Sequence, residues 1–195
     1  MAIAKKVDGI IICLVSPALN DQTAKAMAAG IPVVAFNQDV KGNPRLSAVW
    51  HDMYQSGILM GQLVGKMLPE GSHILMPAEI PGASYATLRV NAITKTMDAL
   101  GKGFTYEVIE TGLETSVCYD RITAYMLAHP ETKAIIGIGA IVSSAAGTVI
   151  KDLGLKGKVI QTGYDPYITG LENIKDGYTT FILDDQPYLI GFMAV

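Results

Sequence analysis

The feature that most constrains this chain is the alternation of short, almost unbroken apolar runs with segments of helical periodicity. Gly9 to Leu14, Ile31 to Phe36, His73 to Met76, Phe104 to Ile109, Ala134 to Ile138, Val159 to Thr162 and Thr179 to Leu183 read as strands. A strand with one wet face alternates apolar and polar residues, whereas one covered on both faces is apolar throughout, as in parallel sheets. Parallel neighbours need crossover connections, and amphipathic segments fill the gaps: helices are predicted at about 53–68, 84–100, 115–128, 141–153 and 166–176. An earlier helix carries Leu19, Thr23, Ala26 and Met27 on one face, with Ser16-Pro17 at its start and Gly30 at its stop. This order predicts an α/β fold of doubly wound parallel sheets with right-handed crossovers.

The pattern is interrupted once. Gly42, Asn43 and Pro44 form a turn into a short strand, about Leu46 to Trp50, which ends at His51-Asp52. An apolar helix follows, then Pro69-Glu70-Gly71 and a fresh β-α series. The expected organisation is two lobes, with a boundary near Asp52 and a return crossing near Asp185.

Composition removes several classes of function. With 50% hydrophobic and 17% charged residues, the chain is no disordered segment, and its 195 residues can bury a core without metal or disulfide staples. A net charge of −3 argues against a nucleic-acid surface, so no nucleic-acid partner is expected. Cys13 and Cys118 form no CxxC pair. The N-terminus, MAIAKKVDG, has no long apolar stretch of the signal-peptide kind. Ala134 to Ile150, the most apolar segment, is too punctuated by glycine and serine to span a bilayer.

Open α/β sheets bind ligands beyond the carboxyl ends of their strands. The residues placed there are Cys13 and Ser16, then Asn37, Gln38 and Asp39, then Glu79, Ser84 and Arg89. Tyr119-Asp120, Tyr164-Asp165 and Asp184-Asp185-Gln186 complete the set. Acids, amides, an arginine and tyrosines suit a polyhydroxylated ligand, whose hydroxyls bind carboxylates and amides while aromatic rings cover apolar sugar faces. The same residues also suit the plainer roles of helix caps and solvated side chains.

Catalytic constellations are missing. His51, His73 and His129 are scattered, and no HExxH, GxSxG or GxxxxGK[ST] pattern occurs. Cys118 has no assignable histidine partner, and adjacent Asp184 and Asp185 would point to opposite faces of a strand. No enzyme activity, cofactor or metal is expected. Gly137-Ile138-Gly139 after a strand matches part of a dinucleotide fingerprint, but Val142 stands at the third glycine position, and a tight strand-to-helix turn explains it better. Gly57, Gly61 and Gly65 form a stripe that is read as close packing of a helix on the sheet.

The segments VDGIIICLVSPALNDQTAKAMAAGIPVVAFNQD, LAHPETKAIIGIG and KVIQTGYDPYITGLENIKDGYTTFILDDQPYLIGFMAV resemble type I periplasmic binding proteins, the sugar-binding solute receptors of ABC transporters. GYD and DDQPYLIG look like that family's strand-end GFD and DQQPYLQG signatures. The resemblance implies two α/β lobes clamping a sugar, a membrane permease as partner, and a periplasmic or extracellular, lipoprotein-type location. Residue by residue, it places Arg89 at a ligand-binding arginine, Tyr119 at an aromatic stacking position and Asp165 at the carboxylate that binds sugar hydroxyls. Asn37 and Gln38 fall at polar N-lobe positions, and Asp185 at the hinge-side amide or acid. Gly139 stands where ribose receptors commonly carry asparagine, and Cys13 replaces a frequent polar residue, which argues against ribose itself.

On that resemblance, residues 1–51 form a partial N-lobe to which 186–195 cross back, and residues 52–185 form the C-lobe. The chain then begins after the family's first β-α-β unit, and the sheet edge left open invites a homodimer. Two other readings use the same segments: the effector-sensing core of a lac-repressor-family regulator, and a small dinucleotide-binding enzyme built on Gly137 and Gly139.

Overall fold

A computed structural model describes residues 2–195. The chain divides into two compact units, Met1–Asp52 with Gln186–Val195, and Met53–Asp185.

The first unit is a three-stranded parallel sheet in the order β1-β2-β3, made of β1 (Ile10–Ile12), β2 (Val33–Asn37) and β3 (Ser47–Trp50). The helix α1 (Asn20–Ala28) links β1 to β2. It is entered through a 3-10 turn, Pro17–Leu19, where Ser16 Oγ accepts the Ala18 N–H at 3.3 Å. The Ser16-Pro17 signal therefore starts this short turn, and the α-helix proper begins three residues after Pro17. Gly30 ends it with φ +79°, a left-handed geometry that suits glycine. Leu14, Ala26, Ile31, Val33 and Ala35 make the core, and α7 (Pro187–Ala194) packs on β2 and β3 through Ile190 and Ala194.

The second unit is a five-stranded, all-parallel sheet in the order β5-β4-β6-β7-β8. Its strands are β4 (His73–Ala78), β5 (Thr105–Glu110), β6 (Thr132–Ile136), β7 (Ile160–Tyr164) and β8 (Phe181–Leu183). Alternation along them feeds two cores. Ile74, Met76, Ala134 and Ile136 face α2 (Met53–Met67) and α3 (Ser84–Asp98), while Leu75 and Ile135 face α4 (Thr115–Ala128) and α5 (Ala140–Asp152). The last helix, α6 (Ile168–Lys175), lies beside α5. Both units have the α/β parallel-sheet class expected from the apolar runs.

Strand ends shift where glycine intervenes. The run Ala134 to Ile138 becomes β6 two residues earlier, because Gly137 to Gly139 already turn toward α5. The glycine stripe is also placed differently from expectation. A Cβ on Gly57 would lie 2.6 Å from Ala92 Cβ and 2.9 Å from Arg89 O, and one on Gly61 would lie 3.0 Å from Ile93 O. The stripe therefore allows α2 to approach α3, so it serves helix-on-helix rather than helix-on-sheet packing. Among the described residues, no helix is long and apolar enough to cross a membrane.

Candidate functional site

The strand order of the second unit places its topological switch at β4, between β5 and β6, so the carboxyl ends of β4, β6, β7 and β8 form one polar edge. Arg89, on α3, is the largest fully buried side chain there, at 2% exposure. Its Nη1 donates to Ile138 O at 2.8 Å, and its Nη2 donates to the Asp185 carboxylate. The guanidinium sits 3.8 Å from the ring centroid of Tyr164 and 5.9 Å from that of Tyr85. An arginine fixed by an acid, a carbonyl and an aromatic face has little rotational freedom left. Arg89 Nε is buried with no hydrogen-bond partner among the described residues.

Asp165 follows β7 directly and adopts φ +57°, in the left-handed region. Burial, followed by repulsion from Asp185, pushes its carboxyl up to about 6, against the opposing pull of Arg89. Asn37, at the end of β2 in the first unit, has the same strained geometry at φ +63°, as does Gln186 at φ +55°. Left-handed non-glycine residues at strand ends hold polar side chains in set directions and concentrate at binding sites.

Glu79 follows β4 and is 4% exposed. Its Oε1 accepts the N–H groups of Ile141 and Val142 at 3.1 and 3.4 Å, and its Oε2 accepts the Tyr85 hydroxyl at 3.2 Å. Burial and the neighbouring Glu79 charge raise the Tyr85 phenol to about 12, so it remains a donor. Gly139 has room for no side chain, since a Cβ there would lie 2.3 Å from Glu79 Oε2. This accounts for the Gly137-Ile138-Gly139 segment. The first turn of α5, where a dinucleotide phosphate would seat, is held by a carboxylate of the protein itself, and Gly137 packs on Ser143.

Tyr119 stands apart from the Arg89 cluster. Its hydroxyl donates to Asp152 Oδ2 at 2.9 Å, at the last residue of α5. The aromatic faces against Arg89 are those of Tyr164 and Tyr85. The Gly-Tyr-Asp strand end pointed to the first of these; no sequence signal marked the second. Cys118 is fully buried with Sγ 3.3 Å from Gly112 O, and burial raises its thiol pKa, which suits packing rather than nucleophilic attack. Leu113, in the loop between β5 and α4, is 60% exposed at this edge and offers an apolar surface that sequence reasoning passed over.

In the first unit, Cys13, Asn37 and Gln38 come together at the carboxyl ends of β1 and β2. Leu14 N–H donates to Gln38 O at 3.2 Å. Burial raises the Cys13 thiol, against hydrogen bonds from the Gln38 backbone and the Asn37 side chain. Asp39 is paired with Arg45 instead.

The periplasmic binding protein domain family matches residues 1–195. The chain belongs to that family. Among similar proteins, the xylose/arabinose-binding protein XylF of Sulfolobus acidocaldarius is 30% identical over 98% of this periplasmic binding protein chain. The chain spans about half of that relative's length, 51%. An ABC transporter solute-binding protein of Burkholderia graminis, solved in complex with D-arabinose, superimposes with a TM-score of 0.90 at 25% identity, covering 99% of this chain and 68% of that one. A periplasmic solute-binding protein of Actinobacillus succinogenes with bound D-allose gives a TM-score of 0.87 at 25% identity, covering 99% and 70%. Membership of the family agrees with the two parallel-sheet units and their polar strand ends.

Proposed function

We propose that this chain is part of the solute-binding component of an ABC transporter and binds an uncharged sugar, a pentose such as xylose or arabinose being the first candidate. The observation that carries the reading is the Arg89 cluster. A guanidinium is held between Tyr164 and Asp185 with one buried donor left over, and Asp165 stands beside it at the next strand end. Arg89 would donate to ring or hydroxyl oxygens, while Asp165 and Asp185 would accept hydroxyl protons, the complementary pattern a polyol needs. In the first unit, taken by itself, Asn37 and Gln38 are the candidate amide contacts for a polyol, with Cys13 beside them as a small, weakly polar wall. Gly139 would contribute no side chain. Tyr119 would not stack on the ligand. The names and bound sugars of the relatives support this class.

The role is binding rather than turnover. The groups at the edge hold one another, with no nucleophile-base pair among them. Delivery to a membrane permease, in the periplasm or outside the cell on a lipid anchor, completes the proposal. Among the described residues of the first unit β1 pairs with β2 alone, and Ile11 is 46% exposed, so a second copy could cover that strand edge.

Calorimetric titration with D-xylose, D-arabinose, D-allose and D-ribose tests the reading. Saturable binding of at least one pentose, lost in Asp165→Ala, is expected. A folded chain indifferent to every sugar, or an Asp165→Ala variant with unchanged affinity, overturns it.

A further inference from the structure

The first turn of α5 presents free N–H groups at the carboxyl edge of the sheet, a place that ordinarily attracts anions. Here two of them, Ile141 N–H and Val142 N–H, already donate to Glu79 Oε1. Glu79 comes from the end of β4, and the absence of a side chain at Gly139 lets its carboxylate reach the helix. Tyr85 closes the other oxygen. The nearby cation is committed as well, since Arg89 is bonded to Asp185 and to Ile138 O. Asp165 and Asp184 add further acid to the same edge.

We propose that Glu79 is a specificity-determining residue: it seals the N-terminus of α5 with the protein's own carboxylate, so that this edge accepts uncharged polyols and turns away sugar acids and sugar phosphates. The proposal rests on the sugar-binding reading above for the nature of the ligand, but the seal itself is a property of Glu79, Gly139 and α5. An anionic sugar approaching the edge would face a buried like charge, with the Ile141 and Val142 N–H groups already taken. Removing the charge would open an anion seat that the wild-type protein lacks.

Thermal unfolding with and without inorganic phosphate and pyrophosphate, on wild type and Glu79→Ala, reads the seal without any sugar. A phosphate-dependent rise in Tm in the variant alone is expected. An equal rise in both proteins, or no rise in either, overturns the proposal. Glu79→Ser, whose side chain is too short to reach the two N–H groups, is read in the same comparison if the alanine variant does not fold. In parallel, the ratio of D-xylose to D-xylonate affinity should fall by about tenfold or more in Glu79→Gln. An unchanged ratio also overturns the proposal. If no sugar binds any protein while phosphate is gained only by the variants, the sugar reading fails and the seal stands.

Discussion

The guanidinium of Arg89 lies 3.8 Å from the centroid of the Tyr164 ring, and both side chains are essentially removed from solvent. A buried cation on an aromatic face needs a counter-charge, and Asp185 supplies it. The three residues come from α3, the end of β7 and the segment after β8, so the pair also ties those elements together.

Breaking this pair should be costly. Arg89→Met leaves the Asp185 carboxylate buried beside an apolar side chain, a change worth about 3–5 kcal/mol. For a chain of this size, a fall in Tm on the order of 10 °C is expected. A thermal melt superimposable on wild type would show that the pair contributes little.

Asp165 links stability to pH. Its folded-state carboxyl is raised to about 6 from an ordinary value of 3.8, so the folded protein holds that proton more tightly than the unfolded chain. Its contribution is therefore most favourable below the ordinary value and is lost as pH rises through about 6. Asp165→Asn should make the ligand-free protein more stable than wild type at pH 7, with the difference vanishing near pH 4, as read by urea unfolding across that range. Sugar affinity should move the opposite way in wild type, weakening as pH falls through about 6 and the acceptor becomes protonated.

The α2–α3 contact predicts an order among three alanine substitutions. Gly57→Ala drives a Cβ toward backbone at 2.9 Å and Ala92 Cβ at 2.6 Å, neither of which can move locally, and should cost about 1–3 kcal/mol. Gly61→Ala meets backbone and Thr96 at 3.0 Å and should be intermediate. Gly65→Ala meets chiefly the tip of Leu100, which can swing away, and should be mildest. Denaturation midpoints in any other order would place the close approach elsewhere.

Tyr119→Ala removes both the ring that would stack on a sugar and the hydroxyl bonded to Asp152. Sugar affinity should be unchanged, in contrast to Asp165→Ala. A large loss of affinity measured by calorimetry would return Tyr119 to the ligand site.

The sequence by itself determined the order and kind of the elements. Buried parallel strands must be apolar on both faces, and Pro69 and Gly71, Pro81 and Gly82, and Gly112 precede β4, α3 and α4, which begin close after these breaks. It also determined that Arg89, Asp165 and Asp185 stand near strand ends, because strand-helix alternation fixes which residues occupy the carboxyl edge. Partners could not be read this way. Glu79 reaches α5 across 62 positions of sequence, and Arg89 meets Asp185 across 96. Those distances close only when the strand order β4-β6-β7-β8 and its register set the strand ends side by side. Tyr119 shows the converse: its position on a helix near that edge was legible, but the direction of its ring depended on where α5 ends, which packing alone decides. Local chemistry is encoded over a few residues, whereas a binding site is an agreement among distant ones, and only the packed sheet enforces it.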